Sequence, residues 1–200
     1  MVEFTGPPGA GKSTLMKRFA SVAGNFSLRP IPTAPIGELE VWETNLLLAR
    51  LARLIKDGER ERIDRNVERI QIDSRARTLK GVSLIDEGLF MHWQPELIVF
   101  QEDHPLEFWN LVERRVVVNI CTEPDDILGH IDSRAKETGG IWKGHMDWSE
   151  SEIVAYHKEA SEDAGVIADL VRCAGGRVYD IHTRDGLAKN VKQLINEIGN

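Results

Sequence analysis

Cysteine is nearly absent from this chain, with two in 200 residues, Cys121 and Cys173. That is too few for a disulfide framework, and the expected state is two reduced, buried thiols. No apolar run approaches the ~20 residues that a membrane-spanning helix needs. Positive charge is not in excess: the net charge of −7 argues against a bare nucleic-acid backbone as the main partner. Internal repeats, low-complexity tracts and an interdomain linker are lacking too, as is any signal-like segment before the first apolar run. What is present is an apolar fraction of 42%, enough for a core at this length. The expectation is one domain over 1–200, located in the cytoplasm.

The strongest local pattern is Gly6-Pro7-Pro8-Gly9-Ala10-Gly11-Lys12-Ser13, a complete G-x-x-x-x-G-K-[ST] phosphate-binding loop. Val2–Thr5 before it reads as a strand, and the run from Thr14 to Ala20 reads as a helix. Gly6, Gly9 and Gly11 let successive backbone N–H groups turn inward toward an anion, and the helix opening at Lys12 adds its positive dipole end. Gly6, Gly9, Ala10, Gly11, Lys12, Ser13 and Thr14 are therefore the expected nucleotide-binding residues. Lys12 is expected on the β- and γ-phosphates, and the Ser13 hydroxyl on Mg²⁺.

Beyond the loop, short apolar runs alternate with longer amphipathic stretches. Strands are expected at Glu3–Thr5, Ser27–Ile31, Val82–Ile85, Val116–Cys121 and Arg177–Ile181. Helices are expected over Glu43–Lys56, Glu61–Lys80, Ser149–Cys173 and Asp185–Ile198. This alternation predicts an α/β fold of three layers, a five-stranded parallel sheet covered by helices on both faces. Ser83-Leu84-Ile85-Asp86-Glu87-Gly88 is an apolar strand ending in acids, the usual complement of a phosphate loop. Asp86 is the candidate second Mg²⁺ ligand or general base, and Glu87 the alternative base.

On these motifs the chain resembles the small P-loop nucleoside and nucleotide kinases, with thymidylate kinases nearest. Arg29, followed by Pro35-Ile36-Gly37-Glu38, resembles an acceptor-binding stretch of that family, which marks Arg29, Glu38 and Glu87 as substrate-binding candidates. Asp86-Glu87-Gly88 stands where the family has Asp-Arg-Tyr, so Glu87 replaces an arginine that holds the acceptor's phosphate. The implied acceptor is an alcohol rather than a monophosphate. Thr122-Glu123-Pro124 leads into a helix bearing Arg134, where the family places a lid arginine. The lid-like segment then spans about 134–148 and contains Trp142 and Trp148. The arginines at 62, 65, 69, 75 and 77 read mainly as a solvated face, with one or two reaching the acceptor cleft. The resemblance implies an ATP- and Mg²⁺-dependent phosphotransferase acting on a hydroxyl of a nucleoside-like or other small polar molecule. Lys12, Asp86, Glu87 and Arg134 would carry the chemistry. A homodimer is admitted, no membrane partner is expected, and nucleic acid or a nucleoside monophosphate is the less favoured acceptor. A P-loop regulatory ATPase is the alternative of another class.

Overall fold

The computed structural model describes residues 1–24, 26–27, 39–59, 62–78, 82–86, 88–138 and 148–198, with backbone alone at 77, 78, 124, 125, 134, 135, 137 and 138. Strand β1 (Val2–Thr5) feeds the phosphate loop and helix α1 (Lys12–Ala23). A two-residue β2 (Phe26–Ser27) precedes helices α2 (Val41–Lys56) and α3 (Ile63–Thr78). Strand β3 (Val82–Asp86) leads into three short helices, α4 (Leu89–His92), α5 (Gln94–Asp103) and α6 (Pro105–Glu113). Then come β4 (Val116–Cys121), α7 (Pro124–Thr138), α8 (Glu150–Cys173), β5 (Arg177–His182) and α9 (Leu187–Ile198).

The sheet proper has four parallel strands in the order β3-β1-β4-β5, and β2 adds a two-residue parallel pairing along β3. This corrects the expectation of five full strands. Of the stretch expected at Ser27–Ile31, only Ser27 is in the described strand, and 28–31 lie outside the described residues. All neighbours are parallel, so every connection is a crossover carrying a helix, which places helices on both faces.

The pleat sorts the strand residues into two cores. Val2, Phe4, Val116, Val118 and Ile120 face α1 and α9, where they pack with Phe19, Val191 and Leu194. Val117 points the other way, into a second core with Phe90, Trp93, Phe108 and Ile167. Glu3, between Val2 and Phe4, shares that second face and is fully buried. The sequence reading contains no helix between residues 89 and 113. Helices α5 and α6 are short, and each carries a proline in its first turn, where the missing N–H costs nothing. Those prolines interrupt the periodicity that reveals longer helices. Helix α8 starts at Ser149 with a reciprocal capping box to Glu152.

Candidate active site

The phosphate loop is built against β4. Gly6 has φ 129°, and a Cβ there would lie 2.7 Å from the carbonyl oxygen of Ile120. Only glycine allows that approach. Gly11, at φ 81°, occupies the left-handed region where α1 begins. The loop is closed by the Ala10 amide donating to the Pro7 carbonyl at 3.2 Å. Lys12 is buried, and its Nζ donates to the carbonyls of Gly6 (2.9 Å) and Pro7 (2.8 Å). Its ammonium is thus held across the mouth of the loop by two of the loop's own oxygens.

Because β3 runs beside β1, with Asp86 in register with Phe4, the end of β3 lies under the start of α1. The Ser13 hydroxyl donates to Asp86 Oδ2. The second carboxylate oxygen, Oδ1, is buried with no hydrogen-bond partner. A hydroxyl and a carboxylate side by side, with an orphan oxygen between strand and loop, form an all-oxygen donor set that suits Mg²⁺. Among the described residues no cluster of three His, Cys, Asp or Glu could hold a metal, so any ion here would draw most of its ligands from substrate and water.

Two cavities flank the loop. One of about 570 Å³ is lined by Gly9 to Leu15, His130, Ser133 and Asn190, and thus lies between the loop, α7 and α9. All seven expected nucleotide-binding residues except Gly6 line it. The other, about 510 Å³, reaches Thr5 and Pro8 and opens between α2, α3 and α8. Arg50, Arg53, Arg62 and Arg69 line it on the α2–α3 side, facing Tyr156, Glu159 and Asp163 of α8. Arg50 and Arg53 both pair with the buried Glu96, at 3.2 and 2.7 Å. Arg50 also donates to Asn66 at 3.1 Å, and Arg62 pairs with Glu59 at 2.7 Å. Burial raises the Glu96 carboxyl above its ordinary value, against the pull of Arg53.

A buried charged group braces the floor of this second cavity. Glu3 Oε1 accepts from the backbone N–H of Phe90 (2.7 Å) and Met91 (3.3 Å), both in the cavity wall. Its Oε2 lies 3.5 Å from the guanidinium of Arg115, which forms a two-pronged pair with Asp73. Desolvation pushes the Glu3 carboxyl up to about 7 despite Arg115. A Cβ on Gly88 would come within 2.7 Å of Glu3 Cδ, so Glu3 also sets the turn that follows Asp86.

Ser13 and Asp86 are therefore in contact, Lys12 lies beside Ser13 in the loop, and Arg62 and Arg69 line the second cavity. Arg29, Glu38 and Glu87 lie outside the described residues. Arg134 lies on α7, but its side chain falls outside the described part, as does most of the expected lid, 139–147. Trp148 packs edge-on against Tyr156, with ring centroids 5.2 Å apart, which is an edge-packing role. Cys121 is half-buried and Cys173 is exposed, so the expectation of two buried thiols fails. Arg50, Arg53 and the Glu3–Arg115–Asp73 group went unrecognised. Their signals were a glutamate inside an apolar strand and an arginine immediately before Val116.

No protein-family model matches the chain, and no curated protein matches it in sequence. Among solved structures, it is similar to shikimate kinase from Bacteroides thetaiotaomicron at TM-score 0.57 and 12% identity, covering 100% of this chain and 98% of that one. It is equally similar to deoxyadenosine kinase from M. mycoides with bound dATP, at TM-score 0.57 and 15% identity, covering 100% and 99%. The fold is that of the P-loop kinases. The more particular likeness to thymidylate kinases rests on the sequence motifs.

Proposed function

We propose that the chain is a kinase that transfers the γ-phosphate of ATP, with Mg²⁺, to a hydroxyl of a small polar acceptor. The observation that carries this reading is the Ser13–Asp86 contact beneath a complete phosphate loop, with one cavity on each side. A donor needs one cavity and an acceptor the other. A regulatory ATPase needs only the first.

In this reading Lys12 exchanges the Gly6 and Pro7 carbonyls for phosphate oxygens, and the loop amides hold the remaining charge. Ser13 and Asp86 would hold Mg²⁺, which would supply Lewis-acid stabilisation of the charge on the transferred group. Asp86 or Glu87 orients the acceptor hydroxyl and receives its proton, and Arg134 adds positive charge from α7. The acceptor lies in the cavity between α2, α3 and α8. A nucleoside-like alcohol fits the glutamate at position 87, with Arg29 and Glu38 as further acceptor contacts. The cavity carries arginines and acids on facing walls, which suits a polar acceptor with several hydrogen-bonding groups. The structural neighbours named for shikimate and for deoxyadenosine support a small-molecule acceptor over nucleic acid. No helix of the described residues is long and apolar enough to cross a membrane, and a single cytoplasmic domain is the location we assign.

The test is γ-labelled ATP offered with nucleosides, nucleoside monophosphates, hydroxy acids, sugars and oligonucleotides. Label appearing on one chemical class of small acceptor supports the reading. Release of inorganic phosphate alone, with every acceptor, overturns it in favour of an ATPase.

A further inference from the structure

Thr5 ends β1 immediately before the phosphate loop. The residue is 0% exposed, and its hydroxyl is buried with no hydrogen-bond partner. Because the faces of a strand alternate, Thr5 shares the side of Glu3 and points away from the side of Phe4, which packs in the core beneath α1. Thr5 lines the cavity between α2, α3 and α8. The polar groups around it are engaged elsewhere. Asn119, its register partner on β4, donates through Nδ2 to Asp180 at 2.9 Å. Glu3 accepts from the amides of Phe90 and Met91 through Oε1 and faces Arg115 through Oε2. A valine would fill the same space with no polar atom to desolvate, and most buried side-chain polar atoms in folded proteins are paired. An orphan hydroxyl in a cavity wall calls for a partner that arrives with a ligand.

Its position says which part of the ligand that is. Of the residues lining the cavity, only Thr5 and Pro8 come from the segment that carries the phosphate loop. The rest lie on or next to α2 to α5 and α8. The loop end is therefore where an acceptor comes nearest to a phosphate on Lys12. Asp86 ends β3 at the same level, in register with Phe4, the residue next to Thr5.

From this placement we propose that Thr5 holds the reacting hydroxyl, with Oγ1–H donating to the acceptor oxygen that attacks the γ-phosphate. The proposal rests on the reading of this cavity as the acceptor site. An alcohol oxygen carries one proton and two lone pairs. Thr5 takes one lone pair, the proton is directed at the carboxylate of Asp86 or Glu87, and the second lone pair is left facing phosphorus. As the new O–P bond forms, the bond from the γ-phosphorus to the β,γ-bridging oxygen breaks. ADP leaves with that electron pair, and the carboxylate takes the proton. Thr5 supplies alignment rather than charge. Water presents the same proton and lone pairs, so the same contact holds the water that reacts when no acceptor is bound.

MgATP is the probe. ADP formation is followed in the parent, Thr5→Val and Thr5→Ser, first with water as the only acceptor and then with the alcohol that γ-labelled ATP marks. Thr5→Val should lower turnover about ten- to a hundred-fold in both settings, the range that lost alignment gives, and leave calorimetric ATP affinity within about twofold of the parent. Thr5→Ser keeps the hydroxyl and should keep most of the turnover. In urea, Thr5→Val should unfold at the same midpoint as the parent or a higher one, since an unpaired buried hydroxyl is gone. Full turnover in Thr5→Val, or a loss of turnover accompanied by a matching loss of stability or of ATP affinity, would overturn the proposal. A parent that hydrolyses ATP and labels no alcohol defeats the kinase reading instead, and the rate of hydrolysis in Thr5→Val then still decides what Thr5 does.

Discussion

Ser13 and Asp86, 73 residues apart in sequence, share a hydrogen bond in which the serine hydroxyl donates to one carboxylate oxygen and leaves the other buried and unpartnered. This contact joins the first turn of α1 to the end of β3. It exists only because β1 and β3 are parallel neighbours, so it ties the order of the strands to the chemistry of the site.

Asp86→Asn keeps the shape of the side chain and the contact with Ser13, but removes the charge and the capacity to accept a proton. Turnover should fall by about two orders of magnitude or more, within the range general base and metal roles supply, and ATP affinity should fall far less. Steady-state kinetics beside calorimetric ATP binding separate the two. An equal loss in both would make Asp86 a ground-state metal anchor and move the base to Glu87.

Lys12→Ala should abolish transfer. The sequence alone suggests that deleting this charge relieves repulsion in a loop shaped for an anion. The structure instead shows the ammonium satisfied by the Gly6 and Pro7 carbonyls. Its removal should therefore cost the ligand-free protein about 1–3 kcal/mol, the usual worth of hydrogen bonds to a charged group. Urea unfolding of the variant checks this. A variant as stable as the parent would show that these two bonds contribute nothing net.

Glu3 makes stability depend on pH in a direction opposite to that of most carboxylates. Its folded value of about 7 lies above the ordinary 4.5, so the native state holds the proton more tightly than the unfolded chain. Its contribution is full below about 4.5 and is lost as pH rises to about 7. Stability curves of the parent and Glu3→Gln should diverge across that window, with the parent losing ground as pH rises. Parallel curves would mean that Arg115 keeps Glu3 ionised throughout. Gly88→Ala should be destabilised by about 1–3 kcal/mol, as expected for overpacking, because its Cβ would overlap the Glu3 carboxyl and Ile85.

Glu96→Gln leaves the buried Arg50 without its counter-charge. The expected cost is about 3 kcal/mol, since an uncompensated buried charge is what makes breaking such pairs expensive. Arg53 is 42% exposed at its side chain and adds little to that figure. In the kinetics, Arg53→Gln should raise the acceptor KM and leave the ATP KM unchanged. A rise in the ATP KM instead would place the donor in the arginine-lined cavity.

The half of the site proposed for the donor was legible because its chemistry is local. Gly6 to Ser13 form one contiguous motif, and Asp86 stands at the end of an apolar run. The half proposed for the acceptor was not legible, because the cavity is assembled from α2, α3, α4 and α8, whose side chains converge only after folding. Arg50 and Arg53 look like ordinary solvated charges on an amphipathic helix until Glu96, from a helix the periodicity concealed, closes over them. Of the strand expected at Ser27–Ile31, only Ser27 is described, and it pairs with Ser83 of β3 beside the Phe26–Val82 pair.

Phosphoryl transfer, not hydrolysis, is the reaction we propose for this site. ADP formation at saturating MgATP, measured with and without the acceptor identified by labelling, tests it most directly. The account predicts that the acceptor stimulates ADP formation by about two orders of magnitude or more, as positioning of a second reactant allows. It also predicts one phosphorylated acceptor per ADP, and that Lys12→Ala removes both. An ATP turnover equally fast without any acceptor would contradict it.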